Sequence, residues 1–324
     1  MSHLRNYHST GMIARASGAA VAAIKARAAA WDAPLVEDAD GLSLLVWGCE
    51  LRLTHQGGGL RINLLAPENR LIGILRDSAT EVFAEAGLDV AWDNVDAGAL
   101  APGLSLVRVA TVTRPVPGFL RVRLTGPEAG RFGHGNLHFR LLLPPAGRVP
   151  VWPRIATSGR TVWPEGADAL HRPVYTVLAH GPDWLEFDIY RHADSPTCDW
   201  ASSHPIGQQV GILGPGGGWC PEADRLLVFG DQTALPAITR ILSLSRADLR
   251  VVLRCDVADL GALAADPRVT CDTDLVAALR QAAPFGDAHV WFAASAPEAR
   301  AARAFLLEQG LPKTRFHAAA YWAP

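Results

Sequence analysis

Residues 171–176 read HRPVYT and place four different chemical groups on one short extended stretch. Arg172 carries a guanidinium, which holds phosphate through paired, charge-assisted hydrogen bonds. Pro173 stiffens the stretch and suits an edge strand. Tyr175 offers an aromatic face that can stack on a flat ring, and Thr176 adds a hydroxyl. The stretch either binds a planar, phosphorylated cofactor or is an ordinary strand with a surface arginine and a half-buried tyrosine.

A second stretch, DIYRHADSPTCDWA at 188–201, leads from a predicted strand into a predicted short helix. The strand is expected to end at His192, and the helix to start near Ser195 or Thr197. Backbone N–H groups at the start of a helix bind anions such as phosphate. Trp200 is expected to pack under this phosphate site. The alternative is that His192 only ends a strand.

A third stretch, GDQTALPA, follows an apolar strand at 225–230 and turns sharply into a predicted helix. Such a turn can hold a nucleotide phosphate, although GxGxxG is absent. The residues that would contact the nucleotide are Gly230, Asp231, Thr233 and Ala234. The alternative is a strand, turn and helix that serve the core alone.

Composition excludes several classes of function. The 324 residues carry a net charge of −2, so we expect neither a nucleic acid nor a membrane as partner. Five cysteines without CxxC spacing argue against a disulfide framework, a zinc site and an iron–sulfur cluster. A reducing compartment, the cytoplasm, fits this cysteine usage. His134 and His138 are predicted to lie in a loop and a strand, so we expect no metal site.

The first part of the chain, 1–102, is predicted to form a small α-β-β-β-α domain whose role the sequence does not indicate. Helical propensity and apolar spacing give its helices, and a GGG turn at 57–59 joins its last two strands. The predicted elements are a helix at 18–30, strands at 42–48, 49–55 and 60–66, and a helix at 67–87.

The rest of the chain predicts two further domains. Short strands separated by Gly and Pro turns over 103–222 indicate an antiparallel β-barrel, and alternating strands and helices over 223–324 indicate a parallel sheet. Ligands of parallel sheets bind at the carboxyl ends of the strands. The barrel strands are predicted at 119–124, 138–144, 173–179, 184–190 and 208–215. The parallel-sheet elements are strands at 225–230, 249–255, 288–294 and 314–322 and helices at 234–245, 274–282 and 296–310.

The three stretches, together with GQQVGILGPGGG, GNLHFRLLLP and a terminal YW, stand in the order found in the siderophore-interacting proteins. These are flavin-dependent ferric-siderophore reductases of the ferredoxin-reductase-like superfamily. The resemblance covers about residues 103–324. It implies an antiparallel FAD-binding β-barrel followed by an α/β domain of the kind that binds NAD(P)H. The first hundred residues are similar, more weakly, to a small domain sometimes fused to this family.

The resemblance also implies roles for single residues. Tyr175 packs on the isoalloxazine, Arg172 pairs with the pyrophosphate, and the hydroxyl of Thr176 approaches the flavin N5 edge as the catalytic residue. The further cofactor contacts are expected at Pro173, His192, Ser195, Thr197, Trp200, Gly230, Asp231, Thr233, Ala234 and Trp322.

The sequence departs from the family pattern at two places. ADSP at 193–196 stands where the family commonly has Gly-Pro, and Ala294 with Ser295 replaces a Gly-Glu near which a nicotinamide nucleotide approaches. Ser295 and Glu298 instead predict a helix capping box. The electron donor is therefore left open among NADPH, NADH and ferredoxin.

The function expected from the resemblance is FAD-dependent reduction of ferric siderophores, with release of iron(II). Ferric siderophores are often anionic, so Arg140 and Arg191, which neighbour the predicted flavin strands, are candidates for substrate contact. Two alternatives stay open. The protein either reduces another acceptor through its flavin or is a binding module that carries flavin or siderophore without turnover.

Overall fold

The computed structural model describes residues 5–14, 18–31, 33–46 and 48–323. Trp47, in the predicted strand at 42–48, lies outside the described residues. The strands are β1 (Tyr7–Ile13), β2 (Leu35–Asp38), β3 (Gly41–Val46), β4 (Cys49–Gln56), β5 (Gly59–Ala66), β6 (Ala91–Trp92), β7 (Leu104–Val116), β8 (Phe119–Thr125), β9 (His138–Leu142), β10 (Arg154–Ile155), β11 (Thr161–Val162), β12 (Val174–Thr176), β13 (Ala179–His180), β14 (Trp184–Tyr190), β15 (Gln209–Gly216), β16 (Arg225–Asp231), β17 (Asp248–Arg254), β18 (Val269–Cys271), β19 (His289–Ser295) and β20 (Phe316–Trp322). The α-helices are α1 (Gly18–Trp31), α2 (Asn69–Glu85), α3 (Pro196–Ser202), α4 (Leu235–Leu244), α5 (Leu275–Gln281) and α6 (Ala296–Glu308).

The first compact unit comprises Met1–Leu104 and Pro144–Leu170. Its main sheet has the order β2-β3-β4-β5-β1-β6, and alternate residues of β4 and β5 point into its core. The predicted helices and the three predicted strands are present. Strands β1, β2 and β6 were not predicted: β1 is rich in polar residues, and its pairing partner β5 lies about fifty residues away in sequence.

Residues 144–170 belong to the first unit although they follow the barrel strand β9 in sequence. They form the small hairpin β10–β11, and Arg154 makes an isolated bridge with Leu100. The backbone N–H of Thr161 donates to Asp77 on α2 at 2.7 Å. This long connection therefore packs on the N-terminal residues, and no periodic pattern in its sequence indicates that placement.

The second unit, Ser105–Leu143 and His171–Pro324, begins with a barrel-like antiparallel sheet of order β12-β9-β15-β7-β8-β14-β13. Alternation along β14 buries Leu185, Phe187 and Ile189, as the sequence predicts. Their partners on β8 bury Val122 and Leu124 on the same face. Strand β12 stands at the end of the sheet order, so its second edge is open to a ligand within the described sheet.

The remainder of the second unit is a five-stranded parallel sheet of order β18-β17-β16-β19-β20. Buried side chains of α4 cover one face, and those of α5 and α6 cover the other. Burial on both faces explains the nearly continuous apolar runs of β16 and β19. The predicted order of an antiparallel, barrel-like sheet followed by a parallel sheet with helices on both faces is confirmed. Within the described ranges, no helix is both long and apolar enough to span a bilayer.

Candidate functional site

The strand β12 presents an open backbone edge beside the predicted flavin residues. Pro173 O accepts from Leu141 N at 2.9 Å, and Val177 N donates to Leu137 O at 3.0 Å. In an antiparallel pair, alternate residues direct both backbone groups to the same neighbour. The backbone groups of Val174 and Thr176 therefore face away from β9. An edge strand with free N–H and C=O groups can hydrogen-bond the polar rim of a flat heterocycle.

Tyr175 is half-buried on this strand, and its ring packs on Phe187 with centroids 5.0 Å apart. Burial raises the pKa of Tyr175 to about 12, and its hydroxyl is hydrogen-bonded to Thr197. The phenol is therefore neutral at physiological pH. The structure brings the first and second predicted stretches together through this contact and through a 3.0 Å hydrogen bond between His171 Nε2 and Thr197 Oγ1.

Thr176 is buried next to Tyr175 and is paired in register with His138 of β9. His138 Nδ1 lies 3.0 Å from Thr176 Oγ1, and His138 Nε2 lies 3.1 Å from the hydroxyl of Tyr321 on β20. A chain of three side chains thus connects the predicted catalytic hydroxyl to the C-terminal strand of the parallel sheet. The sequence predicts that His138 lies in a strand and is no metal ligand, and no signal in it indicates these hydrogen bonds.

The stretch 188–201 forms a strand end and a short helix, close to the prediction. Strand β14 ends at Tyr190, two residues before the predicted end at His192. His192 is exposed; its Nδ1 is 2.9 Å from Ala193 O, and its ring stacks near Tyr190 at 6.3 Å. Helix α3 begins at Pro196, between the two predicted start points.

The side chains in and next to the start of α3 make hydrogen bonds within the protein. Ser195 is the N-cap, and its Oγ accepts from Cys198 N at 3.3 Å. Thr197 is 2% exposed, and its hydroxyl is bonded as described above. Trp200 is half-buried and donates from Nε1 to Gln208 at 2.8 Å. It packs against the barrel core, and its place beneath a phosphate stays a prediction.

The third predicted stretch is built around Asp231, which is fully buried at the end of β16. Its Oδ1 accepts from the backbone N–H and the hydroxyl of Thr233, at 2.9 and 2.6 Å. Its Oδ2 accepts from the indole N–H of Trp322 at 2.7 Å. The carboxylate therefore caps the turn and ties the C-terminal strand to it.

Gly230 and Ala234 have packing reasons for their small size. A Cβ added at Gly230 would lie 2.6 Å from Ile238 Cδ1 and 2.9 Å from the Ala234 Cβ, closer than real contacts allow. Ala234 is itself fully buried. The glycine lets the strand turn tightly into α4, and this need exists with or without a nucleotide.

A second polar cluster lies at the same carboxyl edge of the parallel sheet. Arg254, at the end of β17, forms a two-fold ion pair with Glu298 of α6, with the NH2 contact at 2.9 Å, and lies 3.7 Å from Asp231. This guanidinium lowers the pKa of Glu298. Ser295 donates from Oγ to Glu298 at 2.6 Å and makes no side-chain cap bond to the helix backbone. The Glu298 carboxylate also accepts from the backbone N–H of Ser295, so of the two bonds of the predicted capping box only the glutamate's is formed. Ala294 is fully buried.

The two arginines expected to meet the substrate are both exposed. Arg140, opposite Val174 in the β9–β12 pair, donates to Arg172 O at 2.7 Å. Arg191 donates to Pro117 O at 3.0 Å. Each therefore keeps part of its guanidinium free for another acceptor.

A cavity of about 610 Å³ lies elsewhere, beside α5, and none of the predicted site residues lines it.

Comparison with known proteins agrees with this geometry. Residues 108–219 match the siderophore-interacting FAD-binding domain, and residues 223–324 match the siderophore-interacting protein family. The chain belongs to the siderophore-interacting proteins. The family residues thus include the open strand β12, the helix α3 and the whole parallel sheet.

Curated relatives and solved structures are similar to this chain over part of its length. The chain is 29% identical to the ferric vibriobactin reductase ViuB of Vibrio cholerae over 154 residues, which is 44% of this chain and 54% of that protein. It is 28% identical to a ferric acinetobactin reductase of Acinetobacter baumannii over 170 residues, 46% of this chain and 59% of that protein. The alignments therefore span a little over half of these relatives.

A siderophore utilization protein from T. fusca superposes with a TM-score of 0.52 at 26% identity, covering 71% of this chain and 95% of that one. SipS from Aeromonas hydrophila has a similar fold, with a TM-score of 0.55 at 22% identity over 68% of this chain and 91% of that one.

Proposed function

We propose that this siderophore-interacting protein is an FAD-dependent reductase that releases iron from ferric siderophores as iron(II). The names of the relatives, ferric vibriobactin reductase and ferric acinetobactin reductase, support this function. The observation that carries it is the open edge of β12 with Tyr175 and Thr176, inside the residues that match the family's FAD-binding domain.

The residues of β12 fit an isoalloxazine ring. Tyr175 presents a partly exposed aromatic ring that Phe187 holds in place, and the free backbone groups of Val174 and Thr176 supply hydrogen bonds along the ring's polar rim. FAD, when bound, would supply the redox chemistry by accepting two electrons and passing them singly to iron(III). The chain's own contribution is to bind and orient the ring and to present the Thr176 hydroxyl.

We assign the pyrophosphate first to Arg172, which is exposed at the start of this strand. Ser195 Oγ accepts from Cys198 N, which leaves its O–H as a donor for phosphate, whereas the Thr197 hydroxyl is bonded to His171 and Tyr175. Contacts from Pro173, His192 and Trp322 to the cofactor stay predictions. Asp231 and Thr233 bond each other, and we expect them to shape the nucleotide site rather than to ligate it.

The electron donor is the part of the function with a competing hypothesis. Ala294 is buried and Ser295 is bonded to Glu298, so the position of the family's Gly-Glu offers no free carboxylate. The lack of a free carboxylate at 294–295 favours ferredoxin as the electron donor. It equally favours the alternative, a binding module without turnover. Mixing the flavin-loaded protein anaerobically with NADPH or NADH separates these cases. Bleaching of the flavin absorbance within seconds supports a nicotinamide donor, whereas no bleaching with either leaves ferredoxin or the binding module.

The acceptor is a ferric chelate whose hard oxygen ligands bind iron(II) far less well than iron(III), so reduction frees the metal. A net charge of −2 supplies no general attraction for an anionic chelate, and we infer that Arg140 and Arg191 supply it locally. Exposed charges mainly change the encounter rate, and salt screens the effect.

The test is reoxidation of chemically reduced protein by ferric hydroxamate or catecholate complexes under argon, with a chelator trapping ferrous iron. The rate should fall as salt is added and should fall less in an Arg140→Ala, Arg191→Ala variant. Arg250→Ala, which removes an exposed arginine from β17, is the matched control and should keep the wild-type salt dependence. An equal salt dependence in all three proteins would remove both arginines from the substrate site.

A further inference from the structure

A buried histidine joins the predicted catalytic hydroxyl to the C-terminal strand. His138 is 9% exposed, and each of its ring nitrogens lies within hydrogen-bonding distance of one hydroxyl: Thr176 Oγ1 at 3.0 Å and the Tyr321 phenol at 3.1 Å. The two hydroxyls lie on β12 and β20 and are 145 residues apart in sequence. His138 lies in GNLHFRLLLP and Tyr321 in the terminal YW, and neither stretch predicts a contact with the other.

The surroundings fix this histidine in place. The Tyr321 ring meets His138 edge-on with centroids 5.7 Å apart and meets Trp291 in the same way at 6.1 Å. On another side, a Cβ added at Gly218 would lie 2.8 Å from His138 Nε2, so the backbone there closes directly over the ring. The imidazole is therefore unable to swing out to solvent without moving β20 or the 216–218 loop.

The imidazole is neutral under ordinary conditions. Burial, with smaller contributions from His317 and Arg240, lowers the pKa of His138 to about 4. A neutral imidazole has one N–H donor and one acceptor nitrogen. The imidazole is bonded to a hydroxyl on each side, so the direction of one hydrogen bond fixes the direction of the other. If Tyr321 donates to Nε2, then Nδ1–H donates to Thr176, and the Thr176 hydroxyl proton points away from His138.

In the opposite arrangement, the Thr176 hydroxyl proton is used in the hydrogen bond to His138 and cannot be donated outward. In that arrangement Nε2–H donates to Tyr321, and Thr176 donates inward to Nδ1. A phenol, with an ordinary pKa of about 10, is a stronger hydrogen-bond donor than an aliphatic alcohol. An aliphatic hydroxyl oxygen is in turn a better acceptor for the imidazole N–H than a phenol oxygen, whose lone pair is delocalised into the ring. Both comparisons favour the arrangement in which Tyr321 donates, His138 carries its proton on Nδ1, and Thr176 donates outward.

We propose that His138 and Tyr321 are positioning residues that make the Thr176 hydroxyl an outward hydrogen-bond donor, directed at the acceptor edge of the bound flavin. The direction of these hydrogen bonds is inferred from the two contacts and the donor and acceptor strengths of the hydroxyls, whereas the flavin as their target rests on the proposed function. Thr176 is the only one of the three that would touch the cofactor.

The tautomer of His138 tests the direction and does not require flavin. Long-range proton–nitrogen NMR on protein labelled with ¹⁵N-histidine distinguishes the two tautomers, and a His138→Gln variant assigns the signals by their loss. The wild type should show the Nδ1–H tautomer at pH 7. Thr176→Val removes the acceptor of that proton, so the ring should change to the Nε2–H tautomer and donate to Tyr321. Thr113→Val, an exposed threonine on β7, should change nothing. An Nε2–H tautomer in the wild type, or the same tautomer in wild type and Thr176→Val, would overturn the proposal.

A double-mutant cycle on flavin-loaded protein tests the target. Tyr321→Phe should slow flavin reduction by dithionite or a productive donor about three- to tenfold, the range of one net hydrogen bond, and should leave FAD affinity within about twofold. In a Thr176→Val background the same change should have no further effect. Tyr7→Phe, on the exposed side of β1, is the matched control. Independent, multiplicative effects of Tyr321→Phe and Thr176→Val would show that Tyr321 does not act through Thr176. If the protein binds no FAD at all, the proposed function fails, while the NMR experiment still decides the direction of the chain.

Discussion

Acid should destabilise this protein through His138 in particular. The ring has an ordinary pKa of 6.5, and burial in the fold lowers it to about 4. Between these values the unfolded chain binds a proton on this ring and the folded chain does not, so stability is complete above pH 6.5 and is lost as the pH falls toward 4. The gap between the two values, at about 1.4 kcal/mol per pKa unit, amounts to about 3 kcal/mol. His138 is 9% exposed, so solvent screening reduces this figure little.

The assay is urea unfolding of the wild type and of His138→Gln at pH 7, 6, 5 and 4. The variant loses hydrogen bonds to two hydroxyls and should be the less stable protein at pH 7 by about 1–3 kcal/mol. The free-energy difference between the two proteins should then shrink, or change sign, by about 3 kcal/mol on going to pH 4. Burial also lowers the pKa of His171, which is present in both proteins and cancels in the difference. His317 interacts electrostatically with His138, so measuring both proteins in a His317→Gln background removes its contribution. His55→Gln, which removes an exposed histidine from β4, is the matched control for the loss of one imidazole. A His138→Gln difference that is constant from pH 7 to pH 4 would refute the reasoning.

Three further outcomes are expected. Tyr175→Ala should weaken FAD binding by about 0.5–1.5 kcal/mol from lost stacking, in addition to lost buried area, and calorimetric titration of apoprotein measures it; unchanged affinity would remove Tyr175 from the flavin site. Asp231→Ala should lower the free energy of unfolding by about 2 kcal/mol, because the cap of the turn and the hydrogen bond from Trp322 are lost together. A shift of the urea unfolding midpoint at constant slope measures this loss. A loss below about 0.5 kcal/mol would contradict the hydrogen bonds from Thr233 and Trp322 to this carboxylate. Gly230→Ala should cost about 1–3 kcal/mol through its clash with Ile238, and wild-type stability would show that the turn relaxes freely.

Periodicity in the sequence was enough to predict most of the second unit. The alternation of Leu185, Phe187 and Ile189 predicts β14 at its observed bounds, and the apolar runs predict β16 and β19 within one residue. Elements without such a pattern were missed. Strand β18 has three residues, and the hairpin within 144–170 consists of two-residue strands in a Pro- and Gly-rich segment. Nothing in that segment's sequence shows that it packs with the N-terminal residues.

The site was predicted residue by residue but not as a network. HRPVYT pointed to Tyr175 and Thr176 because their side chains suit a flat ring and because the stretch resembles a family motif. Sequence reasoning did not connect Thr176 to His138 and Tyr321, because such hydrogen bonds depend on register between distant strands. The expected cofactor contact of Asp231 stays a prediction, and each of its carboxylate oxygens already accepts a hydrogen bond within the folded chain. A buried acid after a strand is a signal for a turn cap as much as for a ligand.

The most direct test of the central claim is a stopped-flow measurement under argon. Protein loaded with FAD is reduced chemically and mixed with a ferric siderophore, and in a parallel experiment with the gallium(III) complex of the same siderophore, which has the same shape and charge but is not reduced. We expect the ferric complex to restore the oxidised flavin spectrum, with two ferrous ions trapped per flavin. We expect the gallium complex to leave the flavin reduced. Reoxidation no faster with the ferric complex than with gallium would contradict it and leave a protein that binds flavin or siderophore without turnover.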